Sequence, residues 1–444
     1  MQIKLSDHFS YGKLLRFSLP SILMMIFTSI YGVVDGFFVS NFAGEDAFSA
    51  VNLIMPFLMI CSTVGFMFGT GGSALVAKEY GMGEKEKANK HFSLLVYFSF
   101  LISVIIAVFA FIFLEPISYL LGAREVILEK CVEYGRIIIT ALPFFVLQLL
   151  FQSFFVTAER PKLGFLVTLL SGLANMALDA LLVPILPSEY KLMGAALATA
   201  VSQAVGGIVP LVYFFRKNSS LLRLSSTKFE IGVIIRAATN GVSELMSNIT
   251  MSVVGMLYNI QLIRYCPEHG VAAYGVMMYV SMIFAAAFIG YSIGTAPIFS
   301  YHDGAGNVSE KKALLKKSLV ITGVFGVCMV LLSEALAYPL SFIFVGYNKE
   351  LMDITVSGFG IFSLSFIFMG FAIFSSGFFT ALNDGITSAI ISFLRTVVFQ
   401  VLAVITLPLF FDISGVWISI VVAEFMAFVL SIIFLLLLRK KRGY

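Results

Sequence analysis

The stretch FGTGGSALVAKEYGMGEKEKA, residues 68–88, has a counterpart in IGTAPIFSYHDGAGNVSEKKA, residues 293–313. Both copies run from an apolar segment rich in small residues through a glycine turn into a basic segment. The offset between them, roughly 220 to 225 residues, is the kind of internal duplication that is common among membrane transporters. Because the chain has 444 residues, the repeat predicts two halves with the same fold.

Three further pairs of short stretches support the duplication. They are LLRFSLPS and IIRAATNG at residues 14–21 and 234–241, EPISYLLGA and YPLSFIFVG at 115–123 and 338–346, and FFVTA and GFFTA at 154–158 and 377–381. We therefore predict three regions, an amino-terminal lobe, a linker and a carboxy-terminal lobe, over residues 1–215, 216–231 and 232–444.

The composition indicates an integral membrane protein. Hydrophobic residues make up 59% of the chain, charged residues 12%, and the mean hydropathy is +0.98. A soluble domain cannot hide that much apolar surface in one core. Twelve segments are apolar and long enough to cross a bilayer, near residues 14–40, 48–77, 91–114, 130–157, 163–186, 192–215, 232–263, 271–300, 317–338, 353–381, 385–411 and 414–438.

The predicted fold is an all-α membrane protein with twelve transmembrane helices in two pseudo-symmetric six-helix lobes around a central cleft. An even number of helices in each lobe gives the two copies the same orientation, with the pseudo-symmetry axis along the membrane normal. All connections between the segments are short, which leaves no room for a separate soluble domain.

Basic residues mark one side of the predicted membrane protein. Most of the 29 Lys and Arg residues fall before the first segment, in alternate loops, in the central linker and in the RKKR tail. By the positive-inside rule, this distribution places both termini in the cytoplasm. The basic residues form no continuous stripe, so the net charge of +4 does not indicate a nucleic-acid partner.

Polar residues inside the apolar segments of the first half are the strongest functional signal. Asp35 lies in the first segment, and Asn175 and Asp179 lie four residues apart in the fifth, on one helical face. Thr199 and Gln203 share a face of the sixth segment. These groups can supply oxygens to a Na⁺ ion, or the two acids can share a proton. The alternatives are structural: an acid at a helix end, an acid that reaches the interface, and interhelical hydrogen bonds.

A polar band on the seventh segment predicts the second lobe's side of the cleft. Its members follow mostly four-residue spacing and are Asn240, Glu244, Asn248, Ser252 and Asn259. Glu244 is a candidate contact for a cationic substrate, and the alternative is a structural ion pair. Arg395 and Glu424 lie inside other segments of this half, and we expect them to form a salt bridge with each other.

Short motifs recur along the whole chain in a definite order. They are FSLP (17–20), IYGVVD (30–35), FGTGG (68–72) with its basic loop, NMALD (175–179), GAALAT (194–199), SYHDGAGN (300–307) and GVW (415–417) with Glu424. In this order they resemble the multidrug and toxic compound extrusion (MATE) family, and its bacterial MepA-like branch in particular. The resemblance implies twelve helices in two lobes and the export of organic cations in exchange for H⁺ or Na⁺.

The resemblance also implies roles for particular residues. Asn175, Asp179 and Thr199 match the cation site of the first lobe, with Asp35 as the coupling acid, so that Na⁺ can bind at these four residues. The expected substrate contacts are Glu244, Asn248, Asn259, Tyr31 and Gln203. Pro20 removes a backbone hydrogen bond from the first helix, and we expect it to act as a hinge that transmits protonation.

Three classes of function are compatible with a chain of this kind. The favoured one is a secondary active antiporter for organic, cationic or aromatic compounds, located in the cell membrane of a prokaryote, without a cofactor and as a monomer. The alternative is a flippase for lipid-linked saccharides, which would need basic residues along its cleft. A membrane-embedded enzyme is disfavoured because the sequence has no HExxH, GxSxG or GxxxxGK[ST] motif.

Overall fold

The computed structural model describes residues 3–267 and 269–444, and the side chains of Glu45, Ser252 and Val253 also lie outside the description. Ser252, one member of the predicted polar band, is therefore not placed. Throughout the described residues the secondary structure is helical, with no strand.

The first half of the chain forms six long helices. Their bounds are Tyr11–Phe38 (α1), Glu45–Gly81 (α2), Lys85–Leu120 (α3), Glu125–Thr157 (α4), Pro161–Ile185 (α5) and Lys191–Phe215 (α6). A π-helical turn, Val39–Ala43, extends α1 at its carboxyl end. The stretch 216–230 that follows α6 contains no helix.

The second half repeats this arrangement with more interruptions. Its helices are Ile231–Tyr265 (α7), Gly270–Gly304 (α8), Val308–Val345 (α9), Lys349–Phe362 (α10), Ser365–Ala381 (α11), Gly385–Phe393 (α12), Gln400–Thr406 (α13) and Pro408–Arg442 (α14). Helices α10 and α11 meet at a short break with a bend of 49°, and together they are long and apolar enough for one span. A π-helical turn, Leu394–Phe399, joins α12 to α13.

The helices in the described part of the chain correspond to the twelve segments that the sequence predicts. Ten helical spans are long and apolar enough to cross a membrane, and the bent pair adds an eleventh. The remaining long helix, α7, has 35 residues and packs against α2 and α12. Residue Asp412 interrupts α14 with φ 50°, between the segments predicted to end at residue 411 and to begin at 414. The predicted all-α membrane fold is confirmed.

The two glycine turns of the repeated stretch close sharp corners between helices. Gly83 follows α2 with φ +84°, and Gly306 follows α8 with φ +69°. Glycine adopts this left-handed region without the steric cost that other residues meet. The next helix begins at once in both copies, and Asn307 caps α9 by accepting a hydrogen bond from the Glu310 amide at 3.1 Å.

The described terminal segments and these two glycine turns lie on one side of the molecule, which we call the terminus face. The amide of Leu5 donates to Glu159 Oε1 at 2.7 Å, and the amide of Phe9 donates to Glu310 Oε1 at 3.0 Å. At the other end of the chain, Arg442 forms an ion pair with Asp384 at 2.6 Å. The terminal segments therefore pack against the turns between helices.

The lobes make their closest contacts toward the terminus face. A Cβ atom at Gly241 of α7 would lie 1.9 Å from the Met67 carbonyl oxygen of α2, and one at Gly304 of α8 would lie 2.0 Å from the Lys78 carbonyl oxygen. Only glycine permits such an approach of two backbones. In the other half of the membrane span, a Cβ added at Gly32 or Gly36 of α1, at Gly255 of α7 or at Gly275 of α8 meets nothing within 4 Å. The cleft between the lobes is therefore closed at the terminus face.

Candidate functional site

Three helices of the first lobe bring the predicted cation-binding residues together. Asp35 lies near the end of α1, Asn175 and Asp179 lie one turn apart on α5, and Thr199 lies on α6. The Thr199 hydroxyl donates to Asp35 Oδ1 at 3.1 Å, and Asn175 Nδ2 donates to the Thr199 hydroxyl at 3.3 Å. We call these four residues the first-lobe cluster.

Asp179 is the exceptional member of the first-lobe cluster. Its side chain is fully buried, and neither carboxyl oxygen has a hydrogen-bond donor among the described residues. Its neighbour is the other carboxyl group, that of Asp35. The amide oxygen of Asn175 is also buried without a partner. Because buried polar atoms are nearly always hydrogen-bonded, these three oxygens mark a place where a proton or a metal cation fits.

The acids of the first-lobe cluster are shielded from both lipid and basic residues. Asp35 is 7% exposed and Asp179 is 0% exposed, and no described Lys, Arg or His forms an ion pair with either of them. They do not line the large cavity described below. Thr199, which is only partly buried, is the member of the cluster that retains the most exposure.

Other polar residues of the first lobe surround the cluster. Tyr31 lies beside Gln148 and close to Asp35, and Gln203 is buried with its amide oxygen unpaired. Tyr134 of α4, which the sequence analysis does not identify, is fully buried next to Thr199 and close to both acids. The sequence around Tyr134 offers only one indication of its importance, which is the presence of a tyrosine inside an apolar helix. Tyr31, predicted as a substrate contact, thus lies close to Asp35 of the first-lobe cluster, and neither Tyr31 nor Gln203 lines the cavity with Glu244.

A cavity of about 320 Å³ lies between the lobes and is lined mainly by the second lobe. This volume is at the lower end of the range for small-molecule sites. Tyr258 and Tyr274 form one wall, with their rings stacked at a centroid distance of 5.2 Å. Several methionines also line it, namely Met25, Met251, Met278, Met282 and Met369. Flexible thioethers and aromatic rings suit apolar ligands of varied shape.

The cavity contains one acid that makes no hydrogen bond to the described residues and has Arg395 as its electrostatic neighbour. Glu244 of α7 lines it, and its carboxylate makes no hydrogen bond or ion pair with any residue that the structure describes. The other two charged residues in the lining are Arg395 and Glu424, so the formal net charge of the lining is one negative unit. A cationic ligand would balance that charge, and the tyrosine faces add cation–π attraction.

Arg395 and Glu424 form the salt bridge that the sequence predicts. Arg395 Nε lies 2.8 Å from Glu424 Oε2 and 3.1 Å from Oε1, and Nη2 lies 2.9 Å from Oε1. Glu424 is 2% exposed. The pair joins the π-helical turn after α12 to the middle of α14.

The remaining predicted residues lie outside the cavity lining. Asn248 donates its amide to the Glu244 backbone carbonyl at 2.9 Å, and Asn259 is exposed; the cavity lining includes neither of them. Pro20 is buried inside α1, which continues through it as one helix. Of the five predicted substrate contacts, one, Glu244, therefore lines the cavity.

Comparisons with known proteins agree with this architecture. The MatE family profile matches residues 20–181 and 245–405. The multidrug export protein MepA of Staphylococcus saprophyticus is 24% identical over 435 residues, which cover 96% of this chain and 94% of that protein. Two solved structures, each covering 98% of this chain and 97% of their own, are similar in fold. A MATE protein in complex with MaL6 has a TM-score of 0.90 at 21% identity. A multidrug resistance MATE family transporter of the MOP superfamily, in its outward-facing conformation, has a TM-score of 0.91 at 20% identity.

The profile covers both lobes and most of the chain. The chain therefore belongs to the MatE family, a family of multi-pass membrane transporters rather than enzymes.

Proposed function

We propose that this protein is a secondary active antiporter that exports organic cations in exchange for H⁺ or Na⁺. The observation that carries the proposal is the pair of neighbouring buried acids, Asp35 and Asp179, of which the second has no donor on either oxygen. Two carboxylates in a bilayer span are retained only if a cation balances them for part of a working cycle.

The first-lobe cluster offers two ways to balance that charge. A proton shared by Asp35 and Asp179 would let one carboxyl group donate a hydrogen bond to the other. Alternatively, Na⁺ would be held by oxygens of the two acids together with Asn175 Oδ1 and the Thr199 hydroxyl. Both cases supply a group that binds a cation on one side of the membrane and releases it on the other.

The cargo site of this proposal is the cavity between the lobes. Glu244 is its unpaired acid, and the stacked Tyr258 and Tyr274 rings and the methionines supply an adaptable apolar wall. A small organic cation with aromatic character fits this chemistry. The relatives named multidrug export proteins support the same class of cargo.

Transport requires the cavity to open alternately to the two sides of the membrane. The positive-inside rule assigns the terminus face to the cytoplasm. With that orientation, the present closure at the terminus face leaves the cleft on the outer side. The protein would act as a monomer in the cell membrane of a prokaryote, since each chain holds both lobes and its own cleft.

A lipid-linked saccharide flippase fits the cavity less well. Such a cargo carries a pyrophosphate, which calls for several basic residues. The described lining contains one, Arg395, which is already paired with Glu424, and its net charge is negative.

The test is the efflux of rhodamine 123, a fluorescent organic cation, from loaded proteoliposomes. An inward pH gradient and an inward Na⁺ gradient are imposed separately. We expect one of them to accelerate efflux, and we expect Asp35→Asn to reduce the accelerated component by roughly tenfold, because the cluster then loses one of its two acids. Asp353→Asn, an exposed acid of α10, is the matched control and should behave as the unaltered protein. Efflux that responds to neither gradient would overturn the antiport proposal.

A further inference from the structure

The π-helical turn Leu394–Phe399 carries Arg395 into the wall of the cavity. A π-helical turn accommodates one extra residue within an α-helix, and such turns are frequent at functional sites. Here the turn divides one membrane span into α12 and α13. An arginine in a bilayer span costs free energy, and such residues usually have a function.

The salt bridge does not use all of the guanidinium group. Arg395 contacts Glu424 through Nε and Nη2, and its Nη1 has no hydrogen-bond partner among the residues that the structure describes. The Arg395 side chain is 16% exposed, whereas that of Glu424 is 3% exposed. The acid is therefore covered, and a donor edge of the arginine remains available on a residue that lines the cavity.

A salt bridge with a purely structural role would not need an unused donor atom in the cavity lining. Replacing a buried pair by apolar residues is often neutral or stabilising, so the pair adds little to stability. The neighbouring cavity hydroxyls do not occupy Nη1 either, because the Ser392 hydroxyl lies 2.8 Å from that of Ser376 and the Thr396 hydroxyl donates to the Ser392 carbonyl. Nη1 therefore keeps an unused hydrogen-bond donor in the cavity lining, and Glu244, the other acid near Arg395, interacts with it only electrostatically.

We propose that Arg395, held side-on by Glu424, is a second polar subsite of the cavity that binds a carboxylate of the cargo. The inference rests on the proposed function and deepens it. Glu244 takes the cationic group and Arg395 takes the anionic group, so the preferred substrates are amphoteric aromatic compounds that carry both. Guanidinium groups match the planar geometry of carboxylates.

The negative net charge of the cavity excludes simple anions from the Arg395 subsite. With Glu244 and Glu424 against one arginine, the cavity repels a simple anion. A carboxylate binds only when the same molecule brings a cation for Glu244. The subsite therefore distinguishes amphoteric compounds from plain anions as well as from plain cations.

Two dyes that differ in one functional group provide the test. Rhodamine 123 is a methyl ester with a single positive charge, and rhodamine 110 is the corresponding free acid. Their affinities for the purified full-length protein are measured by fluorescence polarisation, and the readout is the affinity for the acid divided by that for the ester. The ratio removes effects that both dyes share.

We expect Glu424→Gln to raise this ratio by about tenfold, because it frees the guanidinium group for the dye carboxylate. The double variant Arg395→Gln, Glu424→Gln should lower it by about tenfold relative to the unaltered protein, without leaving a lone buried charge. Arg136→Gln, an arginine of α4 outside the cavity lining, is the control and should leave the ratio unchanged.

A merely structural salt bridge predicts that the double variant, which keeps the formal net charge of the lining, leaves the ratio unchanged. A ratio that stays constant in the two cavity variants would overturn the proposal, and if the single variant fails to fold, the double variant decides alone. Absence of rhodamine 123 binding to the unaltered protein would instead contradict the proposed function. The two failures are therefore distinguishable.

Discussion

Asp35 and Asp179 are neighbouring acids with different surroundings. Asp35 accepts a hydrogen bond from Thr199 at 3.1 Å, whereas both oxygens of Asp179 lack a donor among the residues that the structure describes. An unpaired buried polar group costs free energy, and an unpaired charge costs far more. The charge state of Asp179 should thus depend more strongly on a bound cation than that of Asp35.

A substitution of Glu244 tests whether this residue binds the cationic group of the cargo. Glu244→Gln keeps the shape of the side chain and removes its charge, so we expect the affinity for rhodamine 123 to fall by about tenfold. Protein stability should change little, because the carboxylate makes no hydrogen bond or ion pair with the described residues. Fluorescence polarisation measures the affinity, and Glu115→Gln, an exposed acid of α3, is the control. Equal affinity in the two variants would remove Glu244 from the cargo site.

At the scale of helices, α1 connects the lobe contact to the first-lobe cluster. Near its start, the backbone of Ser18 and Ile22 packs closely against Gly294 and Gly290 of α8. Near its end it carries Asp35, followed directly by a π-helical turn. Pro20 lies within the lobe contact, between Ser18 and Ile22, and leaves the Arg16 carbonyl without its helical donor. A change in the cluster can therefore reach the lobe contact through one helix.

Pro20→Ala tests whether α1 bends during transport. The structure has α1 as one continuous helix, so alanine would add the missing hydrogen bond and stabilise this form by about 1–3 kcal/mol. We expect a higher melting temperature together with slower rhodamine 123 efflux. Pro116→Ala in α3, an exposed intrahelical proline, should raise stability without slowing efflux. If both variants transport at the unaltered rate, Pro20 is not a hinge.

Sequence patterns predict elements better than they predict interruptions within them. The twelve spans follow from apolar length, and the glycine turns follow from the repeated stretch. The π-helical turns leave no such mark, because one extra residue inside a helix does not change its hydrophobic pattern. The sequence also does not predict which residues line the cavity. Four-residue spacing places Asn248 and Glu244 on one helical face, but of these two residues only Glu244 lines the cavity.

At the scale of the whole molecule, closure of the terminus face involves both lobes and the chain termini. Lys78 of α2 pairs with Asp303 of α8 at 2.9 Å across the lobe contact. The amino-terminal segment contacts the first lobe through Glu159 and the second lobe through Glu310. Opening this face for the other half of a transport cycle must break these polar contacts and separate the interlocked glycines. The duplication visible in the sequence predicts two lobes, but it does not predict which face is closed, because that depends on contacts between them.

Cation release on cargo binding tests the central claim most directly. Rhodamine 123 is added to the purified protein in weakly buffered solution, and released H⁺ and Na⁺ are recorded with ion-selective electrodes. We predict release of one of the two ions by the unaltered protein and none by the double variant Asp35→Asn, Asp179→Asn. Dye binding without release of either ion, or equal release by the double variant, would contradict the claim that the buried acids of the first lobe exchange their cation for cargo.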